Sequence, residues 1–169
     1  MSATLLNKSN IYVRNCQYPS TNELKQAWGK WLSGLADWDW YATLTFREPS
    51  EEEQRRGYTQ RGWAYAKRAY NQFLASLPMS LIVNHHWVRM FEFQRWRGVP
   101  HIHALISGVA DLRRDEAWAW WFARYGINRI LPYDPTLGAG FYLCKYVVKE
   151  LGDIQFSKSL TKHQNYVIT

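Results

Sequence analysis

Cysteine is nearly absent from this chain of 169 residues, which carries only Cys16 and Cys144. Two thiols so far apart and so differently placed cannot form the disulfide framework of a small secreted domain, so a reduced, cytoplasmic setting is expected. No apolar run approaches the ~18 residues of a membrane span. The opening Met1-Ser-Ala-Thr-Leu-Leu-Asn7 lacks both a basic start and an apolar stretch, so neither a leader nor a membrane partner is expected. Internal repeats and low-complexity tracts are also missing. There is no Gly-x-x-x-x-Gly-Lys-Ser/Thr loop, which argues against a fused nucleotide-driven helicase. Acidic residues are outnumbered 14 to 21, for a net charge of +7, and 17% of the chain is aromatic. That balance suits a polyanion with bases to stack on, ahead of an anionic membrane surface. With 47% apolar residues the chain can bury one core, and 1–169 reads as one domain.

Periodicity divides that domain into elements. Thr21-Asn-Glu-Leu24 opens an amphipathic helix, about 21–35, with Leu24, Trp28, Trp31, Leu32 and Leu35 on one face and an end near Gly34. Trp38 to Phe46 is a strand in which Trp40, Ala42, Leu44 and Phe46 alternate against Tyr41, Thr43 and Thr45. Glu48-Pro-Ser50-Glu-Glu-Glu53 supplies a serine cap and an acidic first turn, so a long helix is expected from there to about Leu77, with Pro78 at its exit. Strands follow at about Trp87–Gln94 and His101–Ser107. Asp111 caps a tryptophan-rich helix to about Tyr125, which Gly126 stops. Asn128–Leu131 is a short strand, 132–140 a loop and Phe141–Leu151 a last helix closed by Gly152; the tail 153–169 has no assignment. From Trp38 the order strand, helix, strand, strand, helix, strand predicts an α+β, ferredoxin-like antiparallel sheet with helices on one face. The strand carrying the histidines should lie beside the first two.

The chemistry centres on His101-Ile102-His103. Residues two apart on a strand project from the same face, so the two imidazoles can share a metal ion, or can be half-buried histidines satisfied by backbone carbonyls. Hairpin register then adds a candidate. Pairing Glu92 with either His101 or His103 puts the carboxylate on the same face, and Gln94 shares it as a weaker ligand or a hydrogen-bond partner. Phe91 and Phe93 would point the other way into the core. His85 and His86, being adjacent, face opposite ways and are incidental. On the last helix Tyr142, Lys145, Tyr146 and Lys149 fall within one arc of roughly 100°, opposite Phe141, Leu143, Cys144, Val147, Val148 and Leu151. Two phenols interleaved with two ammoniums can serve as nucleophiles with charge stabilisation, or can be tyrosines and lysines on a solvated surface.

Three stretches together resemble one family: the strand Tyr41-Ala-Thr-Leu-Thr-Phe46, the pair His101-Ile-His103, and Tyr142-Leu-Cys-Lys145-Tyr146-Val-Val-Lys149. Over about residues 38–150 the chain is similar to the HUH endonucleases that initiate rolling-circle replication, most of all the two-tyrosine initiators of small phages and related prokaryotic plasmids. The N-terminal helix and the tail lie outside that stretch. The resemblance implies site-specific nicking of single-stranded DNA at a replication origin, in a hairpin or in open strand, by Tyr142 or Tyr146 with Lys145 and Lys149 assisting. The products are a 5′-phosphotyrosine and a free 3′-hydroxyl that primes synthesis. It implies Mn²⁺ or Mg²⁺ at His101, His103 and Glu92, although two imidazoles would also suit zinc. It also implies a host helicase and polymerase as partners. Transposases and conjugative relaxases share this chemistry. Two other classes stay open at this point: a non-catalytic single-strand-binding module, and a phosphoesterase that uses activated water.

Overall fold

A computed structural model describes residues 20–57, 61–78, 85–94, 97, 99–144 and 154–160, without the side chains of 94, 140 and 144. The first helix, α1 (Thr21–Ser33), begins at a reciprocal cap. The Ser20 hydroxyl accepts from the Glu23 N–H, and the Glu23 carboxylate accepts from the Ser20 N–H. Strand β1 (Trp40–Thr45) follows with the expected alternation, its even residues buried and its odd ones half-buried.

The long helix expected from Ser50 to Leu77 is instead two. Ser50 and Glu53 form a second capping box that starts α2 (Glu51–Arg55), but Gly57 has φ 89° and Gly62 is extended ahead of α3 (Trp63–Ser76). A left-handed glycine cannot continue a right-handed helix. Arg61 reaches back with two bonds of 2.8 Å to Glu53, and this pairing, with the Ser50 contacts, lowers the Glu53 carboxyl pKa to about 2. The C-terminal end matches expectation: Leu77 turns extended immediately before Pro78.

Strands β2 (Trp87–Gln94) and β3 (Val99–Ile106) form the hairpin, followed by α4 (Arg114–Arg124) and β4 (Asn128–Pro132). Asp111 does not cap α4. The cap is Arg113, after a turn closed by the Leu112 N–H on the Val109 carbonyl, and the acidic first turn pairs with Arg113 instead. Gly126 does stand just past the helix end, with φ 147°, and a Cβ there would sit 2.8 Å from the Arg47 nitrogen and 2.9 Å from the Thr45 oxygen.

The sheet order is β4-β1-β3-β2, antiparallel at each of these pairings, which is the expected ferredoxin-like α+β arrangement, consistent with an HUH endonuclease fold. A fifth strand, β5 (Ile154–Phe156), comes from the unassigned tail and pairs with Val88–Met90 at the β2 edge. Three residues are too few to register as a periodicity. No described helix is long and apolar enough to cross a membrane.

Helices cover more than the one expected face. Under α3 and α4 lie Trp40, Ala42, Leu44, Phe91, Ile102, Ala104 and Ile106. On the opposite face α1 and a π-helical turn (Gly140–Cys144) cover Val88, Met90 and Leu105, which are apolar and need a partner. Further along that second face Thr43, Thr45, Glu92, His101 and His103 form a polar patch.

The turn Gly140–Cys144 stands where the last helix was expected to begin, and it reverses the expected exposure. Phe141 is 65% exposed while Tyr142 is buried at 7%. A π-helical turn bonds i to i+5, so a wheel drawn at α-helical spacing assigns its faces wrongly. Lys145, Tyr146 and Lys149 lie outside the described residues.

Candidate active site

The polar part of the second face is built from three neighbouring strands. In β3, His101 and His103 point the same way; β2 brings Glu92 opposite His101, and β1 brings Thr45 opposite His101 and Thr43 opposite His103. The expected parity between Glu92 and the histidines therefore holds. Gln94 stands two pairs further along, opposite Val99.

Each imidazole is gripped from β1 through Nδ1. Thr45 Oγ1 lies 3.2 Å from His101 Nδ1, and Tyr41 Oη lies 3.1 Å from His103 Nδ1, with Thr43 Oγ1 donating to Tyr41 Oη. The other nitrogen of His103 turns toward Glu92, its Nε2 lying 3.3 Å from Glu92 Oε2. His101 Nε2 is buried and has no hydrogen-bond partner among the described residues. A buried nitrogen left bare costs free energy unless something occupies it. Burial, with a smaller push from Arg97, lowers the His101 pKa below the ordinary value despite the Glu92 carboxylate, so the ring is neutral at pH 7 and keeps a lone pair.

In kind, two Nε2 atoms and a carboxylate on one wall suit a divalent cation, and the orphaned His101 Nε2 is the observation that favours one. As placed, no three His, Cys, Asp or Glu side chains among the described residues form a group able to hold an ion. Glu92 turns to His103, and the two rings stand 6.4 Å apart.

Tyr142 reaches this face through Tyr41. The Tyr41 ring stacks at 6.4 Å on His103 and packs at 4.5 Å against Tyr142, whose oxygen accepts the Asp134 N–H at 3.2 Å. Burial pushes the Tyr41 phenol up, keeping it protonated. Arg47, Lys67, Arg95 and Arg97 are the basic candidates for phosphate contact; of these, Arg97 pairs with Glu48 at 2.8 Å, Arg47 bonds the Phe122 carbonyl, and Lys67 sits over the Phe91 ring on the helix side of the sheet. Arg95 lies outside the described residues. His86 is bonded to Ser159.

Sequence reasoning assigns Tyr41, Thr43 and Thr45 no individual role. Their signal is nonetheless present: they are the polar positions of β1, on the face that a neighbouring histidine strand would share.

A family of replication-associated proteins, described by the label ORF2, matches residues 39–151, well over half of the chain. The chain belongs to that family. This replication-associated protein is thereby a member of a rolling-circle replication initiator family, a role in DNA replication that its basic charge and sheet face suit. The match opens at β1 and takes in both histidines, Glu92 and Tyr142. No curated protein and no solved structure matches it.

Proposed function

We propose that this protein is a metal-dependent, site-specific endonuclease and strand transferase of the two-tyrosine HUH type, nicking single-stranded DNA at a replication origin. The observation that carries this reading is the polar wall itself: two imidazoles fixed at Nδ1 by β1, with Glu92 against the Nε2 of His103 and the Nε2 of His101 buried without a partner among the described residues. His101, His103 and Glu92 would hold Mn²⁺ or Mg²⁺, which would supply the positive charge that polarises the scissile phosphate.

The chain's own residues do the rest. A tyrosine oxygen, Tyr142 first and Tyr146 in turn, gives up its proton and attacks phosphorus. The bond to the 3′ oxygen breaks, and that oxygen takes up a proton to become the free 3′-hydroxyl. The phosphate remains on the enzyme as a 5′-phosphotyrosine, and because the bond energy is kept, attack by a 3′-hydroxyl rejoins the strand without ATP. Lys145 and Lys149 stabilise the phenolate and the charge gathering on the phosphoryl oxygens. The family-sized stretch needs a host helicase to open the duplex and a host polymerase to extend the primer.

Two nucleophiles suit termination. When the origin is regenerated, one tyrosine is already bonded to the 5′ end, and a second in the same chain, four residues further along, can make the next cut. The test is Tyr142→Phe and Tyr146→Phe, separately and together, incubated with single-stranded oligonucleotides and Mn²⁺ and read by denaturing gel and peptide mass mapping. Each single variant should keep some adduct on the remaining tyrosine, and the double variant none. Cleavage without any covalent product in the parent protein would instead identify attack by water, and no cleavage at all a binding module.

A further inference from the structure

On α4, at the β4 edge of the sheet, Trp118 and Phe122 lie one helical turn apart with their rings parallel, 4.8 Å between centroids and 10° between planes. Both are exposed, at 40% and 43%. Large aromatics stacked on one another in solvent need a reason, since nothing in the described core covers them. Cations bracket them. The Arg47 guanidinium lies 5.8 Å from the Phe122 centroid, and Arg114 precedes Trp118 by one turn on the same helix face.

Trp118 also lines a groove of about 570 Å³ with Trp40, Leu112, Arg113, Arg114 and Ile130. That volume falls within the range of small-ligand sites, about 300–1,000 Å³. The indole is held in place, its Nε1 donating to the Asn128 carbonyl at 3.0 Å while Asn128 Nδ2 returns a bond to the Trp118 carbonyl. Arg114 and Arg129 make no ion pair among the described residues.

The stripe leads toward the candidate active site. Arg47 lies two residues beyond Thr45, which holds His101, and Arg129 is the β4 partner of Thr43, exposed on the face that carries the histidines. We infer that the Arg47–Phe122–Trp118 stack and its groove bind unpaired nucleotides of a DNA strand outside the cleavage site, bases stacking on the rings and phosphates meeting Arg114 and Arg129. Planar π-faces flanked by guanidiniums suit the bases and phosphates of a strand, and the +7 net charge favours a polyanion over an apolar partner. A duplex buries its base faces and cannot use the rings.

The inference rests on the proposed single-strand substrate, and its test is separable from nicking because binding is measured in EDTA on thymidine oligonucleotides of generic sequence. Wild-type protein is irradiated with iodouracil-substituted single strands, and cross-linked peptides are mapped. In parallel, Trp118→Ala/Phe122→Ala and Arg114→Glu/Arg129→Glu are titrated with a 20-mer and with a 6-mer, and their melting and sedimentation are compared with wild type. The expected results are cross-links on Trp118 or Phe122 and a loss of 20-mer affinity of about tenfold in each variant, with the 6-mer much less affected. Cross-links confined to other peptides overturn the inference, and this arm decides if the aromatic variant does not fold. So do a folded variant with unchanged 20-mer affinity, equal competition by duplex, or a loss of self-association in place of DNA binding. A protein that cross-links here but never nicks would keep this site and refute the proposed chemistry instead.

Discussion

The two faces of the sheet share the same strands yet are built on opposite principles. On the helix-covered face, Trp40, Ala42, Leu44, Ile102, Ala104 and Ile106 pack in an apolar cluster, and any volume of the right shape serves. On the polar end of the other face, each side chain is fixed by a named partner: Thr45 to His101, Tyr41 to His103, Thr43 to Tyr41, Glu92 to His103. The first arrangement supplies stability with tolerance. The second supplies orientation without it, since an imidazole turned by one hydrogen bond presents a different nitrogen.

That difference predicts which substitutions separate function from fold. The largest effect is expected for His103→Ala, which should abolish cleavage of a labelled single strand with Mn²⁺ while binding, measured in EDTA, changes little, because basic side chains supply phosphate affinity. Cleavage at the parent rate under saturating Mn²⁺ would end the assignment of this wall as the active site. Next is Lys145→Met, expected to slow nicking by about 10²–10³-fold, the size of one lost positioned charge, with an unchanged melting curve. A rate within a factor of two of the parent removes Lys145 from the chemistry.

Tyr41→Phe sharpens the comparison further. It keeps the ring on Tyr142 but takes the hydroxyl from His103 Nδ1, so Mn²⁺ affinity should fall by about 10–100-fold in an electron-resonance titration, again with little change in melting. An unaltered titration would make the hydroxyl a bystander. The smallest effect belongs to the other face. Ile102→Val, between the two histidines and fully buried, should cost about 0.5–1.5 kcal/mol by chemical denaturation and leave the nicking rate of folded protein unchanged. Loss of nicking there would show that the faces are not separable.

How far this is legible in the sequence depends on the range of the forces involved. The alternation of β1 and the co-facial histidines follow from the two-residue period of a strand, and Glu92 follows from the parity of a hairpin. These are local rules, whereas the strand order 4-1-3-2 follows from the strand and helix sequence of a ferredoxin-like layer. What escapes depends on contacts between distant segments or on one special conformation. The strand Ile154–Phe156 exists because β2 offers an edge some 65 residues earlier, and nothing in its own three residues says so. The break after α2 rests on Gly57 adopting a positive φ where a serine cap and three glutamates promise a continuous helix. α-Helical spacing puts Tyr142 among exposed phenols, whereas the π-helical turn buries it between Tyr41 and Tyr133. Tyr41 itself stands within a motif, yet its hold on His103 needs the register between β1 and β3.

The edge pairing of β5 has a practical side. The stretch that matches the family, 39–151, is smaller than the unit that folds. A fragment cut to those limits would lose α1, and Leu32 with it, from over Val88, Met90 and Leu105. It would also lose Gln155, which takes two bonds from the buried Arg89 guanidinium at 3.1 and 2.8 Å. With β5 gone, three backbone positions of β2 would be bared along a sheet margin, an invitation to pair with another copy. Anyone excising a minimal domain from this protein by homology alone should therefore expect inclusion bodies, and should carry the cut at least past Leu160 and back before Ser20.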